Sequence, residues 1–322
     1  MGKLFSEHTG SIDLYIIAGQ SNGAGYSFAD PAVLESLWSD YAEGSPSVIY
    51  RGCAEYTNNV DTPQVSTGVN RVDAWTNAKL GQGKSGSHMG AEVGMAARLS
   101  SAYYKNGKVC GIIKYAHGGT SIFDNRLGEN AANGNWMPPS YAAAKGLSYA
   151  ESTAEVKNIT GNLYRNLLAE VRGGVECLRK MGYDDIRVKG VFWMQGESDR
   201  DYTQEYKRAL GYFIKDLRRD LGKIMGEDLS GLAFMIGEIS RTSGSAKEGN
   251  VAKNEVFISA QREVAEGTDN AYVIASGQYE INRLVNGEDV NSQDAWHWTT
   301  EPMFRIGELV GQCILDNVLN KD

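Results

Sequence analysis

Five short apolar runs punctuate this chain, and they limit its fold more than any other feature: Leu14–Ala18, Val109–Tyr115, Val188–Met194, Leu232–Ile239 and Ala271–Ala275. Each ends in Gly, polar or turn residues, as buried strands do. Between them lie stretches with apolar residues near helical spacing: Gly90–Lys105, Glu155–Met181, Asp201–Leu221, Val251–Glu266 and Met303–Leu319. In the second of these, Gly161 and Gly173-Gly174 are candidate kinks. Strands that alternate with helices predict an α/β protein with a mainly parallel five-stranded sheet, covered by helices on both faces. No repeat or Pro/Ser-rich linker divides the 322 residues, so one domain over 1–322 is expected.

Two segments read as long loops on this frame. Gly52–Ser87 is polar and Gly-rich and holds Trp75; Ser121–Tyr149 is rich in Asn, Gly and Ala and holds Trp136. Loops of this length are usually functional or disordered. Either Trp could stack on a sugar ring or pin its loop to the body of the protein.

Composition narrows the partners. A net charge of −8 without Lys/Arg clusters argues against nucleic acid and anionic membranes. No window reaches transmembrane length. Cys53, Cys110, Cys177 and Cys313 are far apart in sequence, which suggests neither a zinc ribbon nor a redox dithiol; Cys110 falls in an apolar strand and Cys177 and Cys313 in helical patterns, as buried free thiols do. Met1–Gly10 has no apolar stretch of secretory-leader length. A cytoplasmic protein is expected if the chain starts at Met1, and a secreted one if a leader has been removed. The oligomeric state is not encoded in any readable pattern.

Gly19-Gln20-Ser21-Asn22 follows the first apolar run directly. A Ser at the carboxyl end of a strand lies where open α/β sheets bind ligands, and the flanking Gly19, Gly23 and Gly25 permit a tight turn. A Ser hydroxyl needs a base to act as a nucleophile. The chain has four His residues. His8 lies in the amino-terminal tail, and His88 precedes a helix start as a loop or cap residue. His117 follows the second strand and is a credible neighbour of Ser21, but it has Lys114 three residues upstream. His297 has Asp294 there instead, in Asp294-Ala295-Trp296-His297. An acid at that spacing can fold back onto Nδ1 and leave Nε2 for the nucleophile. The spacing favours His297 as base, with His117 as the alternative.

Acyl transfer also needs donors for the developing oxyanion. The Ser21 N–H, the backbone of Gly118-Gly119-Thr120 and the Gln195 side-chain amide all follow strand ends. Glu197 and Asp199 form a carboxylate pair, but both lie on one short segment, unlike the flanking pair of a glycosidase. No clustered His or third carboxylate suggests a metal. Glu197 is read as holding Gln195 or the Ser21 turn, and Glu92 as a similar support at its helix start.

These blocks resemble the SGNH hydrolase superfamily, and more narrowly its sialate O-acetylesterase-like carbohydrate esterases, which include acetylxylan esterases. The resemblance rests on Gly19-Gln20-Ser21-Asn22, Gly118-Gly119-Thr120, Trp193-Met194-Gln195-Gly196-Glu197-Ser198-Asp199 and Asp294-Ala295-Trp296-His297, in the family's order. It implies a flavodoxin-like three-layer α/β/α sandwich and removal of acetyl groups from sugar hydroxyls without cofactor or metal. It further implies Ser21 as nucleophile, His297 as base and Asp294 as its partner, with Gly119, Gln195 and the Ser21 N–H around the oxyanion. Gln20, Asn22, Gly118, Glu197, Glu92 and Trp296 would support the site or bind substrate. Gln195 stands where the wider superfamily has its name-giving Asn, as is usual in this branch. Gln20-Ser21-Asn22 likewise replaces the wider Gly-Asp-Ser signature. The expected partner is an acetylated plant polysaccharide, oligosaccharide or sialoside. The rival readings are a lipid esterase or thioesterase on the same frame and a noncatalytic carbohydrate-binding protein.

Overall fold

The computed structural model describes residues 10–54, 70–123, 134–149, 160–290 and 294–321. His8, the middle of both long loops and positions 155–159 of the second predicted helix lie outside these residues.

A seven-stranded sheet forms the centre of the described residues. Its strands are β1 Ser11–Gly19, β2 Ser45–Ala54, β3 Asn70–Ala78, β4 Cys110–Ala116, β5 Asp185–Met194, β6 Ala233–Gly237 and β7 Ala271–Ile274. They lie in the order β3-β2-β4-β1-β5-β6-β7. Every neighbouring pair is parallel except β2 and β3. The five predicted apolar runs are β1 and β4–β7; β2 and β3 correct the expected five to seven. Their sequence signal is weak for a physical reason. The pairing of β2 with β3 is interrupted by register shifts, and only Val48-Ile49-Tyr50 forms an apolar run in β2. β3 is an edge strand that buries Trp75 and Ala78 but exposes Asp73, Ala74 and Thr76. An edge strand with one wet side needs no continuous apolar run.

Five longer helices cover the sheet: α1 Ala91–Lys105, α2 Asn162–Lys180, α3 Thr203–Met225, α4 Glu248–Glu266 and α5 Thr300–Asn317. The alternation of strand side chains sorts the core into two layers. Leu14, Ile16 and Ala18 join the layer containing Leu167, Val171, Phe213, Leu217 and Phe257 of α2, α3 and α4. Tyr15 and Ile17 join the opposite layer, with Val93, Leu99, Phe304 and Val310 of α1 and α5. The outcome is the expected three-layer α/β/α sandwich. α2 has no break at Gly173-Gly174. At Gly174 the helix instead packs close to β4, where a methyl group would meet Ile113 Cδ1 at 2.7 Å.

Both Trp residues of the long loops pin their segments. Trp75 is 7 % exposed and donates from Nε1 to the Gly174 carbonyl at 3.3 Å. Trp136 is fully buried edge-on against Tyr115 and Trp193, and its Nε1 donates to Thr120 Oγ1. Neither ring is available to a sugar. Cys110 is buried, while Cys177 and Cys313 are only partly covered; all three are free.

The register places the site. Gly19 pairs with Ala116 on one side and with Met194 on the other, so β4, β1 and β5 end at one level. Gln20-Ser21, His117-Gly118-Gly119 and Gln195 therefore leave the sheet at the same edge. From β1 the chain moves toward β2, whereas from β5 it moves toward β6. This divergence opens the crevice in which α/β sheets bind ligands.

Candidate active site

Ser21 begins a single helical turn, Ser21–Ala24, tied to the end of β5. Gly19 has φ +138°, and a Cβ there would come within 2.0 Å of the Met194 carbonyl oxygen. That closeness lets the Gln20 N–H donate to the same oxygen at 2.9 Å. Gly25 closes the turn at φ +91°, donating its N–H to the Ser21 carbonyl at 2.9 Å. The Ser21 N–H lies in the first turn, where no intrahelical acceptor exists. Gln20 Oε1 accepts long bonds from the N–H groups of Gly196 and Ser198, holding the turn against the loop after β5.

His297 and Asp294 meet as their spacing predicts. The His297 Nδ1–H donates to Asp294 Oδ2 at 2.7 Å. Asp294 Oδ1 accepts the backbone N–H groups of Trp296 and His297, each at 2.7 Å. Burial works against ionising this carboxyl, but the bonds from His297 and Trp296 prevail and hold its pKa below the usual value. With Nδ1 donating to a carboxylate, the neutral ring keeps its lone pair on Nε2. Asn22 Nδ2 donates to the Trp296 carbonyl at 3.1 Å and to Glu197 Oε1 at 2.7 Å. The Tyr26 ring lies 4.8 Å from that of His297, centroid to centroid. Residues one and five positions after Ser21 thus touch the segment that carries His297.

His117 is built differently. It is 2 % exposed, donates its backbone N–H to the Gly19 carbonyl, and places Nδ1 at 3.1 Å from the Gly118 carbonyl. Burial lowers its pKa, so the neutral ring is favoured. The next residues turn through Gly119 at φ +64°, and Thr120 Oγ1 donates back to the His117 carbonyl at 2.7 Å.

Gln195 departs from the expectation of a free oxyanion donor. It is fully buried, and Nε2 donates to the Thr120 carbonyl at 3.0 Å and to Asp199 Oδ2 at 2.7 Å. An amide has two N–H hydrogens, and both are committed. Turning the amide over would set Oε1 against two acceptors. Gln195 therefore braces the Gly118–Thr120 loop and fixes Asp199, which also accepts the Ile122 N–H at 2.8 Å.

Glu197 holds the Ser21 turn through Asn22, one of its two expected tasks; Asp199 takes the other by holding Gln195. Burial raises the Glu197 pKa above the usual 4.5. The folded protein thus binds this proton more tightly than the unfolded chain. That contribution to stability is full below the unfolded pKa and is lost as pH rises through the folded value. Glu197→Gln, which cannot ionise, should therefore gain stability relative to the unsubstituted protein as pH rises. Denaturant unfolding at about pH 5 and about pH 8 would measure this; a difference independent of pH would contradict it.

The rim includes residues that the sequence reading did not assign. Lys84 Nζ lies 4.2 Å from the centre of the Tyr26 ring. His88 shares a 2.7 Å hydrogen bond with Ser85 Oγ and meets the half-exposed Phe28 ring edge-on. Burial, then the charges of Lys84 and His297, lower its pKa. The Arg200 guanidinium lies 5.0 Å over Trp296, which is 38 % exposed. Tyr26 stands directly after the Ser21 turn and could have been noticed. Lys84 comes from an irregular segment and His88 from a two-residue strand, His88–Met89, and neither has a readable periodicity.

Among the described residues, no group of three or more His, Cys, Asp or Glu could hold a metal ion. No helix among them is long and apolar enough to cross a membrane.

Three solved structures share this fold. A protein from Arabidopsis thaliana is 18 % identical, with TM-score 0.53 over 96 % of this chain and 99 % of its own. A carbohydrate acetylesterase from Xanthomonas citri is 15 % identical, with TM-score 0.56 over 96 % of this chain and 57 % of its own. NanS is 14 % identical, with TM-score 0.58 over 96 % of this chain and 98 % of its own. No curated protein sequence matches the chain. The sequence profile described as "Carbohydrate esterase, sialic acid-specific acetylesterase" matches residues 11–316, which is nearly the whole described sheet and its helices. This chain belongs to that family of carbohydrate esterases.

Proposed function

We propose that the protein hydrolyses O-acetyl esters of a carbohydrate through an acetyl-Ser21 intermediate. The observation that carries this reading is the Asp294–His297 pair, joined to the Ser21 turn by the Asn22 bond to the Trp296 carbonyl. His297 takes the Ser21 proton while Oγ attacks the acetyl carbonyl. Asp294 stays ionised and stabilises the imidazolium that forms. The Ser21 and Gly119 N–H groups are the proposed oxyanion donors. Gln195 acts through the Thr120 carbonyl, by setting the loop that carries Gly119. His297 then protonates the departing sugar hydroxyl, and water activated by the same ring releases acetate.

The rim favours a sugar over a lipid leaving group. Tyr26, Trp296 and Phe28 offer aromatic faces, and Lys84 and Arg200 lie over two of them. Such amphipathic surfaces suit a wet, hydroxylated ligand. The proposed substrates are acetylated plant polysaccharides, oligosaccharides or sialosides. Acetate release from acetylated xylan, mannan, pectin and sialosides would identify which. A parallel series of acyl esters should show activity falling steeply beyond acetyl. Activity that rises with chain length would replace this reading with a lipid esterase or thioesterase.

A further inference from the structure

Lys114 is fully buried in β4, two residues before its end, and its surroundings tie it to the Ser21 turn. Its Nζ donates to the Ala24 carbonyl at 3.0 Å and to the Gln82 carbonyl at 2.7 Å. The same nitrogen lies 3.0 Å from Glu92 Oε2 in an ion pair with both side chains fully buried. Two backbone carbonyls accept from the ammonium, and the Glu92 carboxylate offsets its charge. Ala24 is the last residue of the turn that Ser21 opens. Gln82 begins the segment that supplies Lys84 and, at its end, the strand residue His88 to the rim. Glu92 stands at the start of α1, where Oε1 also accepts the Gly90 N–H at 2.8 Å. One buried cation thus joins the Ser21 turn, a rim loop and a helix start.

A buried ion pair is weak evidence for stability, since apolar residues of similar size often serve as well or better. A pair that holds two backbone carbonyls and a helix start together is better explained by placement. We infer that Lys114, held by its counterion Glu92, is a positioning residue for Ser21. It sets the height and tilt of the Ser21–Ala24 turn relative to His297. This inference rests on Ser21 being the nucleophile. Lys114 takes no part as acid or base, because its ammonium is fully buried, donates to two carbonyls and is paired with the Glu92 carboxylate.

The test compares the unsubstituted protein with Lys114→Met, Glu92→Gln and the double variant. Each is followed by unfolding, by kcat and KM on an acetyl ester, and by the rate at which a fluorophosphonate labels Ser21. Lys114→Met should lose both stability and turnover, because it leaves Glu92 buried alone. The double variant removes both charges, so it does not bury a lone one. It should recover stability while kcat and labelling stay reduced on the order of 10²-fold, as expected for a misplaced nucleophile. KM should change by less than about twofold, and the pH profile should keep its shape. Glu92→Gln keeps Lys114 on Ala24 and should lose less turnover than Lys114→Met. If the double variant recovers kcat and labelling together with stability, Lys114 is structural only and the inference is overturned. Ser21→Ala is run alongside: retained turnover there would remove the nucleophile assignment itself, independently of the Lys114 variants.

Discussion

Ser21→Ala is expected to reduce acetate release by about 10⁴-fold or more, with the fold intact. The size follows from the proposed chemistry. Without Oγ no acetyl-enzyme forms, and water would have to attack the acetyl group directly. The oxyanion donors and the binding surface remain, so some acceleration over the uncatalysed reaction should survive. The fold should tolerate the change. Ser21 sits at the first position of its turn, and the turn is fixed by backbone bonds from Gln20 to Met194 and from Gly25 to Ser21. Alanine keeps both of those bonds and suits a helical turn. Acetate release from the best glycan of the panel, with circular dichroism as a control, measures the effect. A variant with more than about a tenth of the normal rate would rule out an acetyl-serine route.

The sequence made the centre of this fold legible because the central strands are buried on both faces. Leu14–Ala18 and Val188–Met194 read as continuous apolar runs for that reason. The edge strand Asn70–Ala78 buries little beyond Trp75 and Ala78, so its composition is that of a loop. The same contrast holds within the site. Asp294 and His297 are local in sequence, and one turn of chain is enough to bring them together. The partners of Gln195 are not local: Thr120 comes from the loop after a different strand, and only the assembled structure reveals that both amide hydrogens are taken. Lys114 stands out in the sequence only as a base three residues before His117, where His297 has an acid. Its link to Ala24 depends on the register of β4 against β1, where Lys114 pairs with Ile17.

The second large effect separates the two candidate bases. His297→Ala is expected to cost about 10⁴-fold or more in kcat, whereas His117→Ala should stay within about tenfold. Both residues lie near the carboxyl ends of the central strands, but their hydrogen bonds differ in kind. His297 donates Nδ1–H to an ionised carboxylate, which fixes the tautomer and compensates positive charge on the ring as it takes a proton. His117 offers Nδ1 to a backbone carbonyl, and its burial disfavours the charged form. A ring that resists protonation with no carboxylate to offset the charge is a poor general base. His117→Ala retains the backbone bond to the Gly19 carbonyl, so the loop keeps its tie to β1 while losing packing. It should therefore lower stability more than turnover. Asp294→Asn should fall between these variants, at roughly 10²–10⁴-fold, because the amide no longer selects the same tautomer. Turnover and unfolding measured on all three decide the assignment, and a larger loss at His117 than at His297 would reverse it. If Ser21 and His297 act as one unit, the double variant Ser21→Ala/His297→Ala should be barely slower than Ser21→Ala alone. Additive losses would mean that His297 accelerates a step that does not pass through Ser21.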